Sequence, residues 1–343
     1  MKPKVAIVIL NFNGKGFLEQ FLPGVKDTPY PNLEVVVADN GSTDDSITFL
    51  EAAHPDITLI KLAENYGFAG GYNKALDQVQ ADYFVLLNSD VEVSGDWVTP
   101  IIEEMENDPN VAAAQPTIKS YEQPKMFEHA GAAGGFMDKF GYPFCRGRIF
   151  FVLEKDDGQY RYPTPIFWAT GAAFFIRAEL YHRFEGLDAD YFAHMEEIDL
   201  CWVLKRAGYK IMAYPFSEVL HVGGGTLPPS NPRKTYLNFR NGLITLIKNE
   251  PGSKLLWLIP LRLVLDGLAG FRFMTEGKFK DIFAVIKAHF YVYFHVFSIL
   301  NKRRHVKQLV KTHSIGPADK MGVYHKSIVW QFFVRKKRFF KDL

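Results

Sequence analysis

The chain has 343 residues, 48% of them hydrophobic, and a formal net charge of +2. That length accommodates one large α/β domain with an appendage, or two domains. Its two cysteines, Cys145 and Cys201, lie far apart, which excludes a cysteine metal site by spacing and fits two buried thiols in a reducing compartment. The small net charge conceals an asymmetry. Residues 1–232 carry 18 Lys+Arg against 32 Asp+Glu, a balance of −14, whereas residues 233–343 carry 22 against 6, a balance of +16. An acidic body joined to a basic, aromatic tail predicts a two-part molecule whose tail seeks an anionic surface.

In chain order, Val5–Leu10 reads as a buried strand. Its six apolar residues are too few for a signal-peptide core, which points to a cytosolic protein. Polar Asn11-Phe-Asn-Gly14 follows, and then an amphipathic stretch from Phe17 to Val25. Leu33–Ala38 is a second strand, ending in Asp39-Asn-Gly-Ser-Thr-Asp44 before a helix that runs through Leu50. Ile57–Leu62 is a third, leading through Asn65-Tyr-Gly67-Phe-Ala-Gly-Gly-Tyr-Asn73 to a helix near Lys74–Gln80. Tyr83–Leu87 is a fourth, stopping at Asn88-Ser89-Asp90. Strands and helices alternating at this spacing predict an α/β fold with a mostly parallel open sheet and flanking helices. Each strand ends in an Asn/Asp/Gly-rich loop, so the four loops can line one crevice, where open α/β sheets bind ligands.

Residues 96–108 read as a helix and Val111–Pro116 as a strand, while 117–165 shows no sustained period and is expected to form irregular hairpins over the site. A strand-like Phe167–Arg177, a helix over Glu196–Ala207, a strand over Tyr209–Tyr214 and the run Val219-Leu-His221-Val-Gly-Gly-Gly follow. Beyond Pro232 the apolar stretches Leu255–Gly270 and Ile282–Leu300 are broken by Arg262, Asp266, Lys287, His289 and His295. A spanning helix needs about 20 largely uncharged residues. These segments instead predict interfacial helices flanked by Lys302-Arg-Arg304 and Arg335-Lys-Lys-Arg338. The expected division is therefore residues 1–232 as a catalytic domain and 233–343 as a basic, helical, membrane-associating region. The apolar runs are too long for a solvated nucleic-acid-binding arm, so no nucleic acid is expected.

Three places carry chemistry. Asp90 ends a buried strand beside short polar neighbours, a setting that suits a hard divalent cation, Mg or Mn, that also holds phosphate oxygens. His221 ends a later strand-like run, and imidazole with carboxylate is a workable set for either ion. Glu196, Glu197 and Asp199 place three carboxylates within four positions. On a helix Glu196 and Asp199 share a face, with Glu197 rotated by about 100°. Such crowding raises one pKa unless a cation sits among them. No Walker sequence occurs, and Asn13-Gly14-Lys15-Gly16 is only a fragment of a dinucleotide fingerprint.

Taken in order over residues 5–225, these motifs resemble the family 2 glycosyltransferases of the GT-A fold, close to a bacterial rhamnosyltransferase-like branch. The resemblance rests on Val5–Gly14, Val37–Asp44, Asn65–Asn73, Leu87–Asp90, Thr170-Gly171-Ala172, Glu196–Trp202 and His221. It implies a nucleotide-sugar donor contacted by Asn11, Asp39, Asn65, Gly67, Asn73, Asn88 and Ser89. It further implies a divalent metal held by Asp90, with His221 completing the set, and Glu197 as the base that deprotonates an acceptor hydroxyl, with Glu196 and Asp199 beside it. The implied function is inverting transfer of a sugar, with rhamnose from a dTDP donor the expected case, to a lipid-linked glycan. The expected location is the inner face of the cell membrane, as a peripheral protein on an anionic surface. Two departures from the family pattern stand out: Glu197 where the branch usually has Asp, and Val203 where an Arg often follows. A non-catalytic nucleotide-sugar-binding protein and a nucleotidyltransferase are the alternative readings.

Overall fold

A computed structural model describes residues 2–223 and 231–343 of the chain. The four early strands form as β1 (Val5–Asn11), β2 (Leu33–Asp39), β3 (Thr58–Lys61) and β4 (Tyr83–Asn88), linked by helices α1 (Lys15–Lys26), α2 (Ser46–Ala53) and α3 (Gly67–Leu76). They pair in parallel in the order β3-β2-β1-β4. Both faces of β1 are covered: Ala6 and Val8 enter one hydrophobic cluster, Val5, Ile7 and Ile9 the other. That double burial is why the strand reads as an unbroken apolar run.

The rest of the sheet is mixed rather than continuing the expected parallel run. After β5 (Val91–Glu92), α4 (Thr99–Asn107) and β6 (Val111–Ser120), the segment 117–165 forms β7 (Gly135–Asp138), β8 (Pro143–Cys145), β9 (Arg148–Ile149) and β10 (Val152–Leu153), then reaches β11 (Thr164–Ile166). Strand β12 (Ala173–Arg177) slots antiparallel between β4 and β6. Helices α5 (Ala178–Arg183) and α6 (Glu196–Arg206) precede β13 (Lys210–His221). β13 absorbs two separately expected runs into one strand, parallel to β6 with a register shift between Tyr214 and Glu218. Of the glycine run after His221, Gly223 is described, and Gly224 and Gly225 lie outside the described residues.

Register then positions the polar ends. Asn11 pairs with Asp39, and Leu10 with Asn88, so the C-terminal ends of β1, β2 and β4 lie level. The short β5 pairs antiparallel with the end of β13, His221 opposite Val91, and the Val222 amide donates to the Asp90 carbonyl at 3.0 Å. Residues 131 apart in sequence meet because β5 turns back along β13.

The helices after residue 232 are α7 (Pro232–Asn249), α8 (Gly252–Thr275), α9 (Phe279–Phe294) and α10 (Val296–His313), followed by β14 (Val323–Tyr324). The packing does not respect a division at 232. Leu243, Ile244 and Ile247 of α7 belong to the main core cluster, and β14 pairs with β7 to complete a second, five-stranded sheet. The two charges that interrupt α8 point inward, Arg262 and Asp266 being 4% and 1% exposed, with the Arg262 guanidinium 3.8 Å from the Tyr142 ring centre, whereas Lys287 and His295 stay exposed. Asp266 accepts from Tyr142 Oη at 3.2 Å and pairs with His289 Nε2 at 3.1 Å. Much of the outer face is apolar, with Leu256, Val264, Leu268, Phe271, Phe283, Phe290, Phe294 and Phe297 all at least half exposed. Among the described residues no single helix is long and apolar enough to cross a membrane; α9 and α10, bent by 70°, meet that test only as a pair.

Candidate active site

The crevice begins at the level ends of β1 and β2. Asn11 is fully buried and its Nδ2 donates to Asp39 Oδ2 at 2.9 Å and to Ser42 Oγ at 3.2 Å. Asp39 Oδ1 accepts from the Ser42 amide at 2.9 Å, which fixes the loop as a turn. Asn11 Oδ1 is buried and has no partner, and a Cβ on Gly14 would come within 2.5 Å of it. Asn65 closes the same edge by accepting the Gly67 amide at 2.9 Å, in a turn where Gly67 has φ +73°. A Cβ on Gly67 would meet the Phe192 carbonyl at 2.5 Å, so helix α3 begins here, earlier than the expected Lys74. The Phe192 carbonyl accepts from the Phe68 amide at 2.6 Å, tying this turn to the loop that leads into α6.

At the end of β4, Asp90 Oδ1 lies 3.2 Å from His221 Nε2, and Asn88 Nδ2 lies 3.4 Å from the same nitrogen. His221 Nδ1 is 3.0 Å from Glu128 Oε2. Asp90, His221 and Glu128 are all buried. Burial alone would lower the His221 pKa, but its hydrogen bonds to Asp90 and Glu128 outweigh that and raise it to about 9. Glu128 is held below the ordinary carboxylate range by His221, against the opposing effect of burial. Ser89 sits beside the Gly14 turn, 3.5 Å from where a Cβ on that glycine would be.

The acidic cluster opens α6, and the chain reaches it through strained backbone. Phe192, His194 and Met195 have φ of +65°, +71° and +76°. Non-glycine residues in that region cost on the order of 1–3 kcal/mol each and need outside support. Helix α7 provides it: Asn241 Nδ2 donates to the carbonyls of Tyr191, Ala193 and His194 at 3.1, 3.0 and 2.7 Å, and Arg240 Nη2 to those of Asp190 and Tyr191 at 2.8 Å each. The turn presents Glu196 and Glu197, each with a buried Oε2 lacking a partner. Burial raises the Glu197 pKa to about 7, although the amides of Glu197, Ile198 and Gly171 favour its ionised form. Burial, and then the neighbouring Glu197 charge, push Glu196 well above the usual range. A carboxyl near pH 7, unpartnered and beside the crevice, is suited to accept a proton from a bound hydroxyl.

Two expected site residues are committed elsewhere. Asn73 Oδ1 accepts from Tyr181 Oη at 2.6 Å and the Leu187 amide at 3.0 Å, and its Nδ2 donates to the Leu187 carbonyl at 2.7 Å. Its side chain pins the turn after α5, with Oδ1 accepting twice and Nδ2 donating once. Asp199 accepts from Lys248 Nζ at 2.6 Å and Asn249 Nδ2 at 2.7 Å, anchoring α7 to α6. It is an anchor rather than a base or its partner. Lys248 also answers the missing cation after Trp202, since the positive charge comes from α7 instead of from position 203.

Residues 6–183, just over half of the chain, match the family model described as glycosyl transferase family 2. The chain belongs to glycosyl transferase family 2. The N-acetylglucosaminyl-diphospho-decaprenol L-rhamnosyltransferase of Mycobacterium tuberculosis is 22% identical over 286 residues, 79% of this transferase and 92% of that one. The low-salt glycan biosynthesis hexosyltransferase Agl10 of Haloferax volcanii is 22% identical over 82% of this chain and 88% of its own. Among solved structures, GalNAc-T7 with UDP, GalNAc and Mn2+ superposes with a TM-score of 0.57 at 15% identity, covering 72% of this chain. This transferase spans about half of that longer protein, 48%. The mannosyltransferase PcManGT of Pyrobaculum calidifontis, in complex with GDP-Man and Mn2+, gives 0.50 at 14% identity, covering 92% of this chain and 88% of its own. These likenesses establish the GT-A fold, and membership of the family sets aside the nucleotidyltransferase alternative.

The donor set of the transferase fits a divalent ion. Asp90 offers carboxylate oxygen, His221 offers Nε2, and Glu128 orients the imidazole from its other nitrogen, as carboxylates orient metal-binding histidines. Among the described residues no cluster of three or more acidic, His or Cys ligands is preassembled, so further coordination positions remain for phosphate oxygens and water. Glu128 carried no sequence signal, because it lies in the aperiodic 117–165 stretch and reaches His221 only through the fold. Asn241 and Arg240 were equally hidden, about 50 residues beyond the turn they hold.

Proposed function

We propose that this enzyme transfers a glycosyl group, with inversion and with a divalent ion bound, from a nucleotide-sugar to a lipid-linked glycan. The observation that carries this reading is that Asn11 with Asp39 and Asp90 with His221 sit at the ends of neighbouring strands, and that Glu197 accepts from the amide of Gly171, next to Ala172 whose carbonyl accepts from the Asn88 amide. Asn11, Asp39 and Asn65 would enclose the nucleoside, and Asn88 and Ser89 would lie along its ribose and diphosphate. Asp90 and His221 would hold the ion, which when bound neutralises charge developing on the leaving diphosphate. Glu197 removes the acceptor hydroxyl proton as that oxygen bonds to the anomeric carbon. The bond from that carbon to the diphosphate breaks, and the nucleoside diphosphate departs with the electron pair. One displacement with one base inverts the anomeric centre. The mycobacterial relative, named for rhamnosyl transfer to a diphospho-decaprenol acceptor, supports rhamnose from a dTDP donor and a polyprenyl-linked acceptor.

The same reading puts the enzyme on the inner face of the cell membrane. Its support is the outer face of α8 and α9, where large apolar side chains are exposed beside the cations Lys278, Lys280 and Lys287 while Arg262 and Asp266 are buried. The deciding experiment is a panel of nucleotide-sugars assayed for release of free nucleotide with Mg, with Mn and with chelator. One donor should be turned over only with metal, and Asp90→Ala should abolish that turnover. Metal-independent release, or full activity in Asp90→Ala, would refute the metal assignment; no turnover of any donor would refute the transferase reading.

A further inference from the structure

Helix α7 opens with Arg233 and Lys234, two cations in a first turn where the helix dipole favours negative charge. The Arg233 guanidinium lies 4.4 Å from the ring centre of Phe192, in the loop that leads into α6. Arg148, at the start of β9, approaches His129 Nδ1 at 3.2 Å, and its buried Nε has no partner. His194 Nε2, in the same loop as Phe192, is likewise buried without a partner. Lys234 is within electrostatic reach of Arg148, His129, His194 and Glu128: burial depresses the pKa of Lys234 and both histidines, and the neighbouring cations add to the effect. Glu128 is the one carboxylate in this group, and it is already engaged by His221. Like charges gathered in this way disfavour one another's ionised forms, a cost that an added anion would relieve.

The position of this cluster separates it from the donor. It gathers around Glu128, on the Nδ1 side of His221, whereas Asp90 lies on the Nε2 side. Its other neighbour is the apolar face. Thr235 hydrogen-bonds Asp281 of α9, and Lys287 Nζ lies 5.1 Å from the Tyr236 ring centre, so α7's first turns abut the helix that exposes Phe283 and Phe290. A cluster of cations thus lies between the 190–195 turn and the exposed apolar face of α9.

We propose that the side chains of Arg148 and Lys234, at the N-terminal end of α7, bind the diphosphate of a prenyl-diphosphate-linked acceptor, at a site separate from the one that holds the donor diphosphate. This rests on the lipid-linked acceptor reading above. Guanidinium and ammonium groups give phosphate oxygens charge-assisted hydrogen bonds, and the helix N-terminus adds its dipole. The prenyl chain would run out along α9, and the acceptor sugar would reach inward toward Glu197.

The test is calorimetric binding of geranyl diphosphate to the full-length protein, alongside dTDP, UDP and GDP with Mn, for the unaltered chain and for Arg148→Gln and Lys234→Gln. The unaltered protein should bind geranyl diphosphate, and each variant should weaken that binding by about tenfold or more. Binding of the preferred nucleoside diphosphate should stay unchanged. Both side chains are partly exposed, so the variants should melt as the unaltered protein does; Arg148→Lys and Lys234→Arg should recover part of the affinity and guard against a folding artefact. Absence of geranyl diphosphate binding, or variants that bind it normally, would overturn the proposal. A parallel loss of nucleoside diphosphate binding would also overturn it, by assigning the cluster to the donor. Failure of every nucleotide to bind would count against the transferase reading, and the geranyl diphosphate arm would still decide this one.

Discussion

Glu197 is held where its charge opposes folding. Its pKa rises from 4.5 to about 7 in the native state because burial penalises the ionised form. Below about pH 4.5 folded and unfolded chains both keep the proton, and the residue is neutral in its effect. Between there and about 7 the unfolded chain releases the proton and the native state retains it, so stability falls as pH rises across that window. Above it the full penalty remains, on the order of 1–3 kcal/mol. Glu197→Gln should therefore raise the melting temperature at pH 8 by about 2–4 °C and leave it unchanged near pH 4.5. Equal melting of the two proteins at both pH values would mean that Glu197 carries no such penalty. Residue-level signals in the sequence pointed to side chains that end strands, and two of them, Asp90 and His221, do meet in the fold. They failed where a short polar side chain serves the fold. Asn73 and Asp199 look no different in sequence from ligand-binding residues, yet their partners are Leu187 and Tyr181, and Lys248 and Asn249.

At the scale of elements, periodicity revealed the strands because buried parallel strands are apolar throughout. It misplaced the start of α3, where three glycines suggested a loop. Those glycines are there for contact: a Cβ on Gly71 would sit 2.9 Å from Leu10 and from Asn40, so the helix can approach the sheet only with small residues. In helices α8 and α9 the interrupting charges suggested interfacial helices, and the fold buries two of them, Arg262 and Asp266, while much of the outer face is apolar. Sedimentation with anionic phospholipid vesicles tests that surface. The protein should co-sediment, high salt should release part of it by screening the basic flanks, and Phe283→Asp with Phe290→Asp should release most of it. A protein that stays in the supernatant with vesicles would contradict interfacial docking of these helices.

For the whole molecule, the order of motifs over residues 5–225 was enough to identify the fold and family, because several of them, at Asn11, Asp39, Asn88 and His221, end strands of the main sheet. The basic tail was legible as a compositional unit and misleading as a separate one. Helix α7 holds the strained 190–195 turn through Arg240 and Asn241, Lys205 pairs with Asp319 at 2.5 Å, and Phe332 lies in a core cluster with Phe144 and Ile149. These contacts join residues tens to nearly two hundred positions apart, a range over which spacing carries no signal. The C-terminal third therefore supports the turn that leads into Glu196 and Glu197 as well as forming the outer surface. Glycosyl transfer through Glu197 is tested most directly by single-turnover transfer from the matched donor to a polyprenyl-diphosphate-linked sugar, with donor affinity measured in parallel. Glu197→Gln should slow transfer by roughly 10²–10⁴ while binding the donor as tightly as the unaltered enzyme. An unchanged rate in Glu197→Gln, with Glu196→Gln inactive instead, would contradict the assignment.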